Sequence, residues 1–578
     1  MAFHNCLKLL RIRYKILCYK KFSDISYIHN VGKEPLRPLT LGKLMEEIAH
    51  DHGETTAVIS CHQKKKINFG EALYQADRLA AGMLKMGFRQ GDMIGLWAPN
   101  IIEWYIAFLA CARAGFISVG LNPLYQQKEI EYCINKVGIK GIVCGSVFKK
   151  QDFYKILKSV CPELSESVPG NLQSNNLPSL RTVIMISPDK MRGTQRFTDV
   201  LNMADDEGIG IVQKNQKNIK TDDPLNIQFT SGTTGFSKAA VVSHFSVVNN
   251  SFYIGRRNEF HKKRYTICVP NPLFHAYGTV VSIVSGLMYT GTLVLPSDGY
   301  DPEKTLSALT EEKCTIVYGT PTMFVDLIEL QKARKEKLHI EIALCGGASC
   351  SPQLFKYMLD VLKVRKVKSI YGLSEATAGA FQSLEDDDEY KSISTVGYLH
   401  DHLEAKVIDA NGNIVPIGVS GELCLRGYSM FLEYYNDEEK TKEAKSLDGW
   451  LRTGDQFIFD ENKYGTVVGR LKEMIIRGGE NIYPKEIEDY LNTHPDIIES
   501  HVVGLPHKRL GEEVCACLRT KNGRHFTVEE IKAYCQGTIA NFKIPSVLKI
   551  LDSFPKTTSG KIQKNKLLRL LLNEENIP

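Results

Sequence analysis

The 578-residue sequence has no C-x-x-C pair, no internal repeat and no Walker-type phosphate loop. Outside its first segment it also has no net charge. Each absence removes a class of protein. The 15 cysteines are scattered, and most, such as Cys111, Cys144, Cys268 and Cys424, sit in apolar runs. They read as small buried hydrophobes in a reducing compartment, which excludes a disulfide framework and a zinc site. Global disorder and a fibrous chain are excluded by a composition that is 43% apolar and 24% charged. Acids are missing from residues 1–23, which carry Lys8, Arg11, Arg13, Lys15, Lys20 and Lys21. Set those six aside and the 72 basic residues fall to 66, equal to the 66 acids. The remaining body therefore offers no electrostatic argument for a nucleic-acid or anionic-membrane partner.

What the first 23 residues do contain is Leu7, Leu9, Leu10, Ile12, Ile16 and Leu17 alternating with those bases. That pattern predicts an amphipathic import presequence and a mitochondrial matrix location, with a basic surface helix as the alternative. One stretch, Ala276–Leu295, has no charge and is long enough to span a bilayer. Gly278, Gly286 and Gly291 interrupt it, so the expectation is a buried helix, a turn and a buried strand, with no transmembrane segment.

At 578 residues the chain exceeds a single core. Leu225–Phe229, Thr266–Val269, Cys314–Tyr318, Ile342–Cys345 and Lys368–Tyr371 read as strands. Helical periodicity follows at Pro321–Leu330 and Pro352–Leu362, the latter announced by Ser351. This alternation predicts an α/β body with doubly wound, largely parallel sheets. After about residue 395 the texture becomes β-rich, at Ala405–Ile408, Glu422–Leu425 and Phe457–Val468. A smaller α+β unit follows, with helices Pro484–Leu491 and Val528–Cys535 and strands His501–Val503 and Val514–Leu518. Thr527 and Glu530 form a capping box for the second helix. The expected division is a presequence at 1–23, an N-terminal body at 24–471 and a mobile C-terminal domain at 472–578.

The strongest local chemistry is Thr230-Ser231-Gly232-Thr233-Thr234-Gly235-Phe236-Ser237-Lys238. Hydroxyls and glycine amides in a tight loop wrap phosphate oxygens, and Lys238 adds a cation. Alone, the loop reads equally well as a flexible Ser/Thr/Gly surface segment. It is followed in order by Pro272-Leu273-Phe274-His275-Ala276-Tyr277-Gly278, Gly346-Gly347-Ala348 and Tyr371-Gly372-Leu373-Ser374-Glu375. Then come Gly449-Trp450-Leu451-Arg452-Thr453-Gly454-Asp455, Gly469-Arg470-Leu471-Lys472-Glu473 and Pro555-Lys556-Thr557-Thr558-Ser559-Gly560-Lys561. Together these resemble the acyl-adenylate-forming superfamily, which contains acyl-CoA synthetases, luciferases and peptide-synthetase adenylation domains. The resemblance covers essentially everything after about residue 40. Met474–Pro484, Gly511–Cys517 and Ser559–Lys564 are similar to the mitochondrial medium-chain fatty acyl-CoA ligases. The departures are Ser237 where the superfamily usually has Pro, Ala239 where it has Gly, and Ser374 where Thr is frequent.

The resemblance implies ATP, Mg²⁺ and coenzyme A as small-molecule reagents, with an acyl-adenylate as intermediate. It implies that Thr230–Lys238 holds the ATP phosphates and that Glu375 ligates Mg²⁺. Gly346, Gly347, Ala348, Tyr371, Gly372 and Ser374 would line the nucleotide pocket, where glycine permits close approach and an aromatic offers a flat face. Asp455 would take the ribose hydroxyls, and Arg470 would lie near ribose and phosphate. Lys561 would bridge carboxylate and α-phosphate, and His275 would orient the carboxylate. Lys472 matches a hinge, and Gly478, Gly479 and Glu480 would shape the coenzyme A tunnel. In isolation these residues have plain readings too: a turn, a core tyrosine, a surface salt bridge, a satisfied core histidine, an exposed lysine. A luciferase-like or aryl-acid adenylating enzyme and an inactive nucleotide-binding scaffold are the competing functions. Acyl length and oligomeric state have no signature in these motifs.

Overall fold

The computed structural model describes residues 25–230, 237–348, 350–477, 480–536, 538–558 and 560–574. The expected presequence therefore lies outside the described residues, as do Ser231–Phe236 of the phosphate loop and Gly478 and Gly479 of the expected tunnel.

Two large sheets carry the N-terminal body. The first runs in the order Gln195–Arg196, Thr182–Met185, Gly141–Cys144, Met93–Trp97, Ile117–Gly120, Pro224–Thr230, Lys238–Ser243, Glu433–Tyr434. It is parallel as far as Pro224–Thr230, and the last two strands add antiparallel. The second is ordered Tyr398–Leu399, Phe381–Gln382, Lys366–Tyr371, Ile342–Gly346, Ile316–Gly319, Thr266–Cys268, Thr292–Leu295, Thr56–Ser60, Lys65–Asn68. Its six central strands are parallel. All five strands expected in this region form, each within two residues of its expected limits.

Helix Ile102–Ala114 lies in the core that the two sheets share. All its residues except Glu103 are buried, as expected of a helix that is apolar on every side. One hydrophobic cluster joins Val143, Ile184 and Leu225 of the first sheet to Ile267, Leu293 and Ile342 of the second through this helix. The charge-free run resolves as expected into helix, turn and the buried strand Thr292–Leu295, but Tyr277–Val284 is wound as a π-helix. No helix among the described residues is long and apolar enough to cross a membrane.

The β-rich stretch forms a third, antiparallel sheet of Tyr27–Asn30, Leu403–Ile408, Gly421–Gly427, Leu451–Phe459 and Gly465–Arg470. A 3-10 turn, Leu471–Glu473, separates it from the fourth sheet. That sheet orders Glu480–Ile482, Ile475–Arg477, Gly511–Thr520 and Ile497–His507, with Val547–Ile550 parallel to Gly511–Thr520. Helices Pro484–Leu491 and Val528–Cys535 pack on it through their own apolar cluster. The Thr527/Glu530 capping box is present.

Candidate active site

Parallel strands of both large sheets end in one place. Gly120, at the end of Ile117–Gly120, lies so close to the other wall that an added Cβ would sit 2.6 Å from the Phe274 carbonyl oxygen. The ends of Pro224–Thr230, Ile316–Gly319, Ile342–Gly346 and Lys366–Tyr371 supply Thr230, Thr320, Gly346 and Tyr371. Ligand sites in open α/β folds form outside such carboxyl ends. The Thr230–Lys238 loop differs from a strand-to-helix phosphate loop. Its flanking strands pair antiparallel, with Thr230 opposite Lys238, so it closes a hairpin. Tyr132 donates its hydroxyl proton to the Ser237 carbonyl at 2.9 Å, anchoring the returning arm without the usual proline. The Thr230 hydroxyl is buried with no hydrogen-bond partner among the described residues. A buried polar group without a partner is costly, which suits a position that meets a ligand.

One side of the site gathers around Asp455. This residue is 6% exposed and lies in the strand Leu451–Phe459, not in a turn. Tyr371 donates its phenolic proton to one carboxylate oxygen at 2.6 Å, and Arg470 Nε donates to the other at 3.1 Å. Burial raises the Asp455 carboxyl above the ordinary carboxylate range, against the pull of Arg470 and Tyr371. The Tyr371 ring is braced by Phe457 and Phe381, at centroid distances of 5.6 and 6.2 Å. Gly372 cannot be replaced without moving backbone, because a Cβ there would fall 1.5 Å from the Ala378 carbonyl oxygen.

The opposite side joins Lys238 to Glu375 through a residue that the motifs did not point to. Lys238 Nζ donates to the Tyr434 hydroxyl at 2.7 Å, and that hydroxyl donates to Glu375 Oε1 at 2.7 Å. The ammonium also stands 4.1 Å from the Tyr434 ring centroid, a cation–π distance. Burial lowers the Lys238 pKa, and Glu375 partly restores it. Glu375 sits in the 3-10 turn Ser374–Ala376. The next residue, Thr377, is fully buried at φ 68° and ψ −57°, and Ala378 N–H donates back to the Ala376 carbonyl at 2.8 Å. This is the rare γ-turn with positive φ, which costs a residue other than glycine about 1–3 kcal/mol. The Thr377 hydroxyl holds it by donating to the Ser429 carbonyl at 2.6 Å.

The third side comes from the small C-terminal unit. Lys561 crosses over Gly347, whose added Cβ would lie 3.5 Å from Lys561 Cε. Gly347 has φ 82°, so the strand end turns away and leaves that space. Burial and the Arg470 guanidinium push the Lys561 ammonium down to about 8, while Asp455 and Glu375 pull the other way. A short loop carries the residue. The Thr557 N–H donates to the Lys561 carbonyl at 2.7 Å, and the Lys561 N–H donates to the Thr557 hydroxyl at 3.0 Å. Hydrogen bonds among the described residues tie that loop to the body, including Asn122 Nδ2 to the Thr558 hydroxyl at 3.1 Å and the Thr322 hydroxyl to the Gly560 carbonyl at 3.1 Å. Burial, and secondarily the Lys561 charge, push His275 down to about 3, so its imidazole is neutral. Its Nδ1 accepts the Tyr277 N–H at 3.3 Å, which leaves the ring proton on Nε2 as a donor.

The structure thus brings Lys238, Glu375, Asp455, Arg470, Tyr371, Gly347, His275 and Lys561 to one site. Ala348 is exposed beside it, on an interdomain cleft that Gly560 also lines. Lys472 stands in the turn between the third and fourth sheets, and Glu480 begins the strand Glu480–Ile482 of the fourth, paired with Arg477 of the strand Ile475–Arg477.

A body of two convergent α/β sheets, with a small domain inserting a lysine beside a carboxylate-and-guanidinium pocket, defines a nucleotide-binding enzyme of two parts. Residues 45–435 match the family described as AMP-binding enzyme, and 486–561 match the AMP-binding enzyme C-terminal domain. The medium-chain acyl-CoA ligase ACSF2, mitochondrial, of Danio rerio is 41% identical over 94% of this chain and 90% of its own length. The Homo sapiens protein of the same name is 39% identical over 94% and 89%. Among solved structures, ATP-bound MatB from Rhodopseudomonas palustris superposes with a TM-score of 0.77 at 25% identity, covering 92% of this chain and 99% of MatB. The anthranilate CoA ligase AuaEII with anthranoyl-AMP gives a TM-score of 0.82 at 21% identity, a likeness of fold. The chain belongs to the AMP-binding enzyme family.

Proposed function

We propose that this chain is an AMP-forming acid–CoA ligase that activates a medium-chain fatty acid in the mitochondrial matrix. Membership of the family and 41% identity to a relative named as a medium-chain acyl-CoA ligase support the reaction class. The observation that carries the mechanism is the Lys561 side chain over Gly347, within reach of the charges of Arg470, Asp455 and Glu375 and of the neutral His275 ring.

A carboxylate is a poor acyl donor because its leaving group would be oxide. In the first step its oxygen attacks the α-phosphorus of ATP, the bond to the β-phosphate oxygen breaks, and pyrophosphate leaves. Negative charge then crowds the α-phosphate. Lys561 and Arg470 stabilise that charge, and the pocket acts by positioning and preorganised electrostatics. The His275 Nε2–H orients the acid by donating to it. Asp455 accepts the ribose hydroxyls. Lys238 and the hydroxyls and amides of the Thr230–Lys238 loop hold the β- and γ-phosphates. In the second step the coenzyme A thiolate attacks the acyl carbon and AMP departs.

Among the described residues no three His, Cys, Asp or Glu side chains gather as a metal site. The single carboxylate Glu375 fits Mg²⁺, which takes one or two carboxylates and completes its shell with phosphate oxygens and water. When bound there it would neutralise phosphate charge.

We further propose that residues 472–578 turn about Lys472 between the two steps. Lys561 then withdraws, and the Gly478-Gly479-Glu480 face arrives to shape the thiol channel. The basic, acid-free 1–23 segment and the relatives named as mitochondrial support the location.

An AMP-release screen from butyrate to stearate and across benzoates, with and without coenzyme A, tests the substrate class. The expected result is a maximum near octanoate that requires coenzyme A for turnover. A maximum on benzoates or on stearate would contradict it.

A further inference from the structure

The segment Phe431–Tyr434 grips Glu375 twice. Its Phe431 N–H donates to the Glu375 backbone carbonyl at 2.8 Å, and its Tyr434 hydroxyl donates to the Glu375 side chain at 2.7 Å. The segment is itself fixed. Leu432 N–H donates to the Val241 carbonyl at 2.8 Å, Tyr434 pairs with Ala240 across the first sheet, and Tyr434 N–H donates to the Thr441 hydroxyl at 2.9 Å. Phe431 and Tyr434 pack edge to face at 4.7 Å, and Tyr434 is 2% exposed. Lys238, on the neighbouring strand, places its ammonium on the same hydroxyl at 2.7 Å.

We propose that Tyr434 is a positioning residue for the metal–triphosphate site, acting as a neutral spacer between Lys238 and Glu375. The proposal rests on the reading that Glu375 ligates the metal and that the 230–238 loop holds phosphates. Opposite charges on adjacent walls of a half-buried pocket attract strongly. Without an oxygen between them the ammonium would close directly on the carboxylate, and each would lose the oxygen it is meant to meet. The phenol satisfies both and consumes neither charge. It accepts a hydrogen bond from Lys238 and donates one to Glu375, so the ammonium remains available to phosphate and the carboxylate to a cation. Hydrogen-bonded partners of this kind fix the plane of a ligating carboxylate and tune its affinity.

The test uses the full-length enzyme with a non-hydrolysable ATP analogue and Mn²⁺ as a paramagnetic probe in place of Mg²⁺. Mn²⁺ affinity is measured by electron paramagnetic resonance for the wild type, Tyr434→Phe, Glu375→Gln and the double variant. Tyr434→Phe keeps the ring and its contact with Phe431. It should weaken Mn²⁺ binding about tenfold or more and raise KM for the metal–ATP complex more than it lowers kcat. Glu375→Gln should weaken binding at least as much, and the double variant no further than Glu375→Gln. Tyr434→His, which restores a ring donor, should recover part of the loss and replaces Phe in the comparison if the Phe variant melts early. Wild-type Mn²⁺ affinity in Tyr434→Phe, or a double variant in which the two losses multiply, would overturn the spacer role alone. Wild-type affinity in Glu375→Gln would overturn both the spacer role and the metal assignment.

Discussion

The two walls of the site are held in opposite ways. The body wall is rigid by construction. Asp455 lies inside a nine-residue strand, Tyr371 ends a parallel strand and is braced by two phenylalanines, and Gly372 has backbone 1.5 Å from where a Cβ would go. Among the described residues the small-domain wall reaches the site through one loop, which bonds such as Asn122–Thr558 and Thr322–Gly560 tie to the body. Each is worth roughly 0.5–1.5 kcal/mol net. A ribose and a phosphate chain need a fixed cradle, whereas a cation required for one step only is better carried on something that can let go. In the mechanism proposed above, this difference lets one pocket serve two reactions.

Lys561→Ala probes the loosely held wall with the largest effect. Adenylate formation, followed as ATP–pyrophosphate exchange, should fall by about 10²–10³, the loss seen when one preorganised donor is removed from a developing anion. A pair of glycine variants then sharpens the contrast. Gly560→Ala adds a methyl 2.6 Å from the Thr320 hydroxyl at φ 80°, at a cost of roughly 1–2 kcal/mol. It should slow adenylate formation about tenfold with an unchanged melting temperature. Gly372→Ala should instead lower the melting temperature and both half-reactions together, because there the conflict is with backbone. Equal melting losses in the two variants would erase the distinction between the walls. The smallest effect is on pH dependence. Burial and Arg470 hold the Lys561 ammonium, the useful form, down to about 8 in the free enzyme. So kcat/KM for adenylate formation should decline as pH rises through about 8, halved at that pH. The negative triphosphate raises the lysine pKa on binding, so the limb in kcat should lie higher. Lys561→Arg should flatten both. His275, pushed down to about 3, adds no limb between pH 5 and 7.

Much of this was legible in the sequence where the signal is local. Helices Pro484–Leu491 and Val528–Cys535 fall at the limits that periodicity and the Thr527/Glu530 box set. Ser351 caps its helix by accepting the Leu354 N–H at 3.3 Å. The site motifs were legible as an ordered set, because glycines and hydroxyls at strand ends leave a recognisable pattern. Pairing across the molecule was not. Nothing near Thr230 announces that its loop closes an antiparallel hairpin. Tyr434 lies 196 residues from Lys238 and 59 from Glu375, and beside Tyr435 it reads as one more core aromatic. Its Tyr371 counterpart was expected as a flat face, and its hydroxyl bond to Asp455 depends on a strand 84 residues away. The π-winding of Tyr277–Val284 also has no periodic signature in so uniformly apolar a run.

The most direct test of the two-wall account is to give Lys561→Ala a synthetic acyl-adenylate and coenzyme A, bypassing the first step. If Lys561 serves adenylation and then withdraws, thioester should form at the wild-type rate although pyrophosphate exchange is nearly lost. A thioester rate that falls as far as the exchange rate would contradict it.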